Sequence, residues 1–319
     1  MWTSRKEVQH FKKGWNHMYT KKASKLVLAL GMGLFLAACG NSASDAKGTS
    51  TSGGEFDASQ TIHVISREDG SGTRGAFTEI TGILEEDADG NEVDNTYTEA
   101  AIQNSTDGVM TSVAGDATAI GYISLGSLNE KVKAVKIEGV EPTGETVKDG
   151  SYAIARPFNV VYKDNLSEIA QDFWDFMFSQ QGQEIIVNEG YVEAGENAPD
   201  YAAPEKLSGK ISIVGSTSVT PVMEVLVEEY QALNPDVTID ITSNGSSAGI
   251  AAAIDGTADI GMASRELKEE EQAELKSEVL AMDGIAVIVN QENTVDDLTM
   301  EHVKKIFTGE VTTWEETAN

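Results

Sequence analysis

The sequence predicts an α/β protein with two compact domains, and two observations carry that reading. Three times a short apolar run ends in a turn of Gly, Ser and Thr that leads into a helical pattern, at 62–77, 211–221 and 237–254. A chain of 319 residues, 40% apolar and 24% charged, is also long enough for two domains with their own cores. Each strand-turn-helix junction aims unpaired backbone N–H groups and the positive end of a helix dipole at one point, which suits it to an anion.

Residues 1–38 do not read as fold. Lys21, Lys22 and Lys25 precede an apolar run over 26–38 that is too short to span a bilayer, and Leu36-Ala37-Ala38-Cys39 has the pattern of a bacterial lipoprotein signal. Cleavage before Cys39 and lipidation there are expected, with Met18 as an alternative start; a free buried cysteine in a signal anchor is the plainer alternative. Loss of seven Lys/Arg and one Glu with 1–38 takes the net charge from −29 to −35. Such a surface repels nucleic acid and anionic lipid. It repels phosphate at long range as well, so an anion site must work through short-range hydrogen bonds and dipoles. A lipidated Cys39 leaves no thiol for a disulfide, and His63 and His302 without a Cys cluster argue against zinc. Residues 39–58, rich in Ser, Thr, Gly and Asp, read as a flexible tether reaching on the order of 25 Å.

The first junction sets a strand over 62–65 before the turn Asp69-Gly70-Ser71-Gly72 and a helix from Thr73. Arg67 offers a planar fork of donors, and Asp69 is placed to hold it. Gly70-x-Gly72-x-x-Gly75 also matches the dinucleotide fingerprint, but the chain then enters the polar segment 85–95, read as a loop, where a nucleotide fold needs a strand with an acidic end. No Gly-Lys-Ser or Gly-Lys-Thr is present, and a tight turn with a surface Arg is the plain structural reading.

Beyond it, 98–104 and 109–114 read as helical or mixed, and 119–125 and 132–137 as strands. Residues 151–162 are extended because Pro157 restricts the residue before it. Leu166, Ile169, Ala170, Phe173, Phe176 and Met177 recur at helical spacing and form a core stripe over 166–178. A short helix over 182–189 precedes a polar linker over 193–208. The second junction then places Gly215-Ser216-Thr217-Ser218 before a helix opening at Pro221, and the third places Asn244-Gly245-Ser246-Ser247-Ala248-Gly249 before a helix over 250–254. Gly245-x-Ser247-x-Gly249 fits a nucleophile elbow too, so a serine hydrolase using Ser247, with His302 or His63 as base, is the enzyme alternative. His302 lies in an amphipathic helix over 298–307, where a solvated face is its ordinary role, and no His-Gly oxyanion loop is present.

Seven segments together, V-G-S-T-S-V-T-P, N-G-S-S-A-G, A-D-I-G-M-A-S-R, M-D-G-I-A-V-I-V-N, I-F-T-G-E-V-T-T-W, S-R-E-D-G-S-G-T-R and A-I-G-Y-I-S-L, resemble the phosphate-binding lipoproteins of bacterial phosphate ABC transporters, the PstS family. The likeness spans 60–316. It implies a two-lobed α/β fold of the periplasmic-binding-protein type II, a monomer lipid-anchored on the outer face of the cytoplasmic membrane. It implies capture of inorganic phosphate between the lobes and delivery to a membrane permease, with no cofactor, metal, nucleic acid or catalysis.

The order of the segments departs from the family, as in a circular permutation. The resemblance then implies one lobe over 59–151, carrying the S-R-E-D-G-S-G-T-R turn, and another over 152–319, with one crossover near 151–157 kept, the other cut, and the hinge loosened. It further implies that Arg67, oriented by Asp69, contacts phosphate together with the Ser71 hydroxyl, the Gly72 and Thr73 N–H groups, Thr217, Ser218 and Ser246. Relatives place an Asp after D-I-G to accept the proton phosphate carries; here Met262-Ala263-Ser264-Arg265 follows, so Ser264 and Arg265 are candidate extra donors and Glu266 a candidate acceptor. Sulfate or molybdate remains the alternative ligand.

Overall fold

The computed structural model describes residues 56–195, 198–204 and 207–318; the expected signal segment, the lipidated Cys39 and most of the tether lie outside them. The strands are β1 (His63–Arg67), β2 (Leu84–Glu86), β3 (Glu92–Asp94), β4 (Ala101–Gln103), β5 (Ala119–Ser124), β6 (Val132–Ala134), β7 (Lys136–Ile137), β8 (Ala155–Tyr162), β9 (Val192–Glu193), β10 (Gly209–Gly215), β11 (Val237–Ser243), β12 (Ile260–Ala263), β13 (Lys276–Asn290) and β14 (Asp297–Leu298). The helices are α1 (Gly72–Ile80), α2 (Thr106–Ala114), α3 (Gly144–Lys148), α4 (Glu168–Met177), α5 (Gln180–Asn188), α6 (Thr220–Leu233), α7 (Ser246–Ile254), α8 (Glu269–Glu274) and α9 (Met300–Thr308).

The main sheet runs β11-β10-β12-β8-β13-β5-β1-β4. Its middle is one long strand: β13 pairs with β8 over 276–284 and with β5 over 285–289. Beside that switch the Ile285 N–H donates to the Ile154 carbonyl at 2.7 Å, so two strands cross side by side between two lobes. One core gathers Phe158, Phe173, Phe176, Met223, Tyr230 and Leu280. The other gathers Ile62, Phe77, Tyr122, Val287, Phe307 and Trp314. The stripe on α4 packs into the first of these cores through Ala170, Phe173, Phe176 and Met177.

The cores part at other places than the resemblance implied. Residues 285–318 return to the lobe built from 56–154, because the run Ile285-Ala286-Val287-Ile288-Val289 is fully buried there against β5 and β6. The second lobe is 156–283 rather than 152–319, both crossovers are continuous, and the premise of a loosened hinge is gone. The described ends of the chain meet inside the first lobe: Thr61 bridges Thr313, the Ile62 N–H donates to the Thr312 carbonyl at 2.8 Å, and Phe56 packs edge-on to Trp314.

Two local readings also change. Segment 85–95 is not a plain loop: it supplies most of the hairpin β2–β3, whose turn is held by the Asn91 N–H donating to Asp87 Oδ1 at 2.8 Å. Segment 98–104 contains β4, parallel to β1 with Ile65 opposite Ala101, because tertiary pairing outweighs a weak helical pattern.

Candidate functional site

The site grows from strand ends that leave the sheet into helix N-termini facing each other across the gap between the lobes. On the first lobe Arg67 closes β1, and its side chain is 2% exposed. Its backbone N–H donates to Tyr122 Oη at 3.3 Å, and the Tyr122 ring stacks on Phe77 at 4.0 Å. Arg74 clamps the same strand end, Nη1 donating to the Arg67 carbonyl at 2.9 Å while Nε is held by Asp94 at 2.8 Å. Ser71 caps α1 by accepting the Arg74 N–H, and Gly72 and Thr73 open the helix.

The partner of the Arg67 fork is Glu68, which accepts from Nε and Nη2 at 2.8 Å each. Asp69 does not orient it: the turn at Gly70, with φ at +86°, leaves the Asp69 carboxylate exposed, 3.2 Å from Arg74 Nη1. Replacing Asp69 by Ala should therefore leave ligand affinity within about twofold, whereas Glu68→Gln, which weakens the fork's anchor, should lower it several-fold; titration of both variants separates the two residues.

On the second lobe, β10 ends at Gly215, where an added Cβ would sit 2.2 Å from the Met262 carbonyl oxygen, so only glycine permits the approach of β12. The Ser216 hydroxyl donates to Ser264 Oγ at 2.8 Å and accepts the Ser218 N–H at 3.2 Å. Ser246 opens α7, and its hydroxyl accepts the Ser264 N–H at 3.0 Å.

The two banks meet directly. Arg67 Nη2 donates to Thr217 Oγ1 at 3.1 Å, the hydroxyls of Thr73 and Ser218 are 2.9 Å apart, and the Ser247 N–H donates to the Gly70 carbonyl at 3.1 Å. Thr106, at the first turn of α2, joins them with its hydroxyl 3.2 Å from that of Ser218. Arg67, Ser71, Gly72, Thr73, Thr217, Ser218, Ser246 and Ser264 are thus gathered where strand ends converge. What the cluster offers is small neutral donors, one fully buried guanidinium and several helix N-termini, a set suited to a dehydrated oxyanion.

Arg265 departs from its expected role as a donor. Its Nη atoms are taken by Glu271 at 2.7 and 2.8 Å and by the Glu266 carbonyl at 2.8 Å. It lines a groove of about 540 Å³ beside the cluster, together with Arg74, Ser247 and Lys268. The elbow-like Gly245-x-Ser247-x-Gly249 has a packing cause: a Cβ on Gly249 would lie 2.5 Å from the Val214 carbonyl oxygen, so the glycine lets α7 press onto β10. His63 is engaged elsewhere, 2.6 Å from Asp116, and among the described residues no histidine lines the groove at Ser247.

Glu68, Thr106 and Ser216 escape the sequence reading, as does a buried pair at the lobe crossing, Arg156 and Asp283. Asn104-Ser105-Thr106 is a fourth strand-to-helix turn, with Ser105 accepting the Gly108 N–H at 3.0 Å, hidden because 98–104 reads as helical or mixed rather than as a strand. Arg156 Nη2 and Nε donate to Asp283 Oδ2 at 3.0 and 3.2 Å. Burial pushes the Asp283 carboxyl from 3.8 up to about 6 against the pull of Arg156, and burial also pulls Arg156 below its ordinary value. With a raised folded pKa, the folded protein keeps a proton that the unfolded chain has already released. The Asp283 contribution is therefore full below about pH 4 and is lost as pH rises through about 6. Urea unfolding at pH 4.5 and 7 should show the parent losing stability relative to Asp283→Asn at the higher pH.

Among the described residues, no helix is long and apolar enough to cross a membrane, and no group of three His, Cys, Asp or Glu is placed to hold a metal ion. A family model described as a PBP superfamily domain matches residues 44–181 and 201–319. Phosphate-binding protein PstS 2 of Streptococcus pneumoniae serotype 4 is 52% identical over 288 residues, 90% of this chain and 96% of that protein. PstS 2 of Streptococcus agalactiae serotype V is 47% identical over 288 residues, 89% of this chain and 93% of its own. The crystal structure of a phosphate ABC transporter's phosphate-binding protein from S. pneumoniae TIGR4 superposes with a TM-score of 0.66 at 54% identity, covering 81% of this chain and 99% of that one.

Proposed function

This chain belongs to the PstS phosphate-binding proteins of the PBP superfamily, and from that membership we infer that it is the substrate-binding component of a phosphate ABC transporter, holding inorganic phosphate between its lobes. The observation that carries the reading is the meeting of the Arg67 fork on the first lobe with the Thr217 hydroxyl of the second, at 3.1 Å, beside the Thr73–Ser218 hydroxyl pair that also bridges the lobes. Arg67 with Glu68 and Arg156 with Asp283 are each neutral as pairs, so an anion here is met by hydrogen bonds and dipoles rather than by excess positive charge. Hydrogen bonds to a charged group contribute about 1.5–3 kcal/mol each. Several of them, after the cost of stripping water from the ion, reach the roughly 8 kcal/mol of micromolar binding.

In this reading the phosphate ligands are Arg67, Ser71, Gly72, Thr73, Thr217, Ser218 and Ser246, with Ser264 and Thr106 added and Asp69 and Arg265 set aside. Lipid anchoring at Cys39 holds a monomer on the outer face of the membrane beside its permease, and no bond is made or broken. The segment order is a circular permutation shared with the pneumococcal relative, which aligns over 96% of its length; the adjacency of Thr61 and Thr313 supports it, since a short link there would restore the usual order.

Calorimetry of the folded body with phosphate, sulfate and molybdate tests the assignment. Phosphate should bind with micromolar or tighter affinity, and sulfate at least about tenfold more weakly. Equal affinity for sulfate would shift the assignment to oxyanions at large, and silence with all three would overturn it. Turnover of an activated ester that Ser247→Ala abolishes would instead favour the hydrolase.

A further inference from the structure

We propose that the buried Arg156–Asp283 pair is the positioning joint of the cleft, holding the Ser264–Ser246 bank at the spacing from Arg67 that the oxyanion needs, without touching the ligand. The proposal rests on the phosphate reading above for its ligand, not for its geometry. Arg156 and Asp283 are cross-strand neighbours on β8 and β13 where both strands pass between the lobes. Asp283 Oδ1 accepts the Ser124 hydroxyl at 3.0 Å, at the end of β5 in the first lobe. From the other side of the pair, Arg156 Nη1 donates to the Ser264 carbonyl at 3.0 Å in the second lobe. Ser264 in turn gives its N–H to Ser246 Oγ and takes the Ser216 hydroxyl. A continuous chain of hydrogen bonds therefore leads from the first lobe, through the crossing, into the backbone of the second bank.

Both side chains are essentially inaccessible, at 1% and 0% exposure. Two charges taken out of water are a poor source of stability, since well-packed apolar residues of similar size usually serve as well or better. What an apolar pair cannot do is reach a carbonyl and a hydroxyl on opposite sides of the crossing with directional bonds. The guanidinium is seated over the Phe158 ring at 5.3 Å, which fixes its plane. The charge of Arg67 also acts on Arg156, and that of Asp283 acts on the phenols of Tyr152 and Tyr191, the former donating to the Ile285 carbonyl at 2.8 Å.

The test uses the double variant Arg156→Met/Asp283→Leu, which removes both charges together, and the single variant Arg156→Lys, which keeps a cation but cannot fork Asp283 and reach Ser264 at once. Inorganic phosphate is titrated into each, and amide exchange is followed over 262–266 without ligand. The double variant should bind phosphate at least about tenfold more weakly, through faster release, and should exchange its Ser264 amide faster, while melting within a few degrees of the parent. Arg156→Lys should fall between. A folded double variant with affinity within twofold of the parent and unchanged exchange would overturn the proposal. Should the double variant fail to fold, parent-like affinity and exchange in Arg156→Lys would overturn it equally. If the parent itself ignores phosphate, the assignment of function fails while the exchange comparison still decides the joint.

Discussion

Replacing Arg67 by Ala is expected to weaken phosphate binding by at least about a hundredfold while the protein stays folded. Two charge-assisted hydrogen bonds at about 1.5–3 kcal/mol each account for that factor. The loss is deepened because Glu68 is left behind: its carboxylate, 24% exposed, no longer answers a cation and faces the incoming anion as bare negative charge. The same partial exposure keeps the cost to folding modest, since water can still reach the orphaned carboxylate. Calorimetry and thermal melting of Arg67→Ala check both halves. The double variant Arg67→Ala/Glu68→Gln should recover part of the lost affinity by removing the repulsion, and undiminished binding in Arg67→Ala would take this residue out of the site.

Gly72→Ala should weaken phosphate binding by tenfold or more without harming α1. The helix itself has no objection, since Gly72 has no left-handed φ and Ala is the better helix former by about 1 kcal/mol. The objection comes from the other lobe: a Cβ at this position would lie 2.3 Å from Ser246 Oγ and 2.8 Å from Ser264 Oγ. Overpacking of this kind costs about 1–3 kcal/mol, and here it is charged only when the lobes close. The variant should therefore close less far and release phosphate faster. Stopped-flow release rates, with Gly72→Ala/Ser246→Gly as a relieving partner, test this; parent-like release would mean that the two banks do not approach as closely in solution.

Much of the candidate cluster is legible in the amino-acid sequence, and for a definite reason. Turns of Gly, Ser and Thr between a strand and a helix leave a local signature, because the residues that permit the turn are also the donors it presents. Arg67, Ser71, Thr73, Thr217, Ser218 and Ser246 are readable on that ground. Glu68 and Asp69 are not separable by pattern, since both are acidic neighbours of Arg67 and only the swing of the chain at Gly70 turns one inward and the other to solvent. Arg265 looks like a donor in sequence until Glu271, six residues on, engages it across the start of α8.

From the residues alone come the alternation of strands and helices, the anion-seeking turns, the acidic surface that obliges any anion site to work at short range, and the likeness to phosphate-binding proteins. Only the tertiary structure decides where the lobes divide, that β13 belongs to both, that Thr106 and Ser216 join the cluster, and that Arg156 and Asp283 meet at the crossing. The physical reason is range. A turn or a helix start is written within a few consecutive residues, whereas the pairing of Arg156 with Asp283, 127 positions apart, exists only once β8 and β13 lie in register between the lobes.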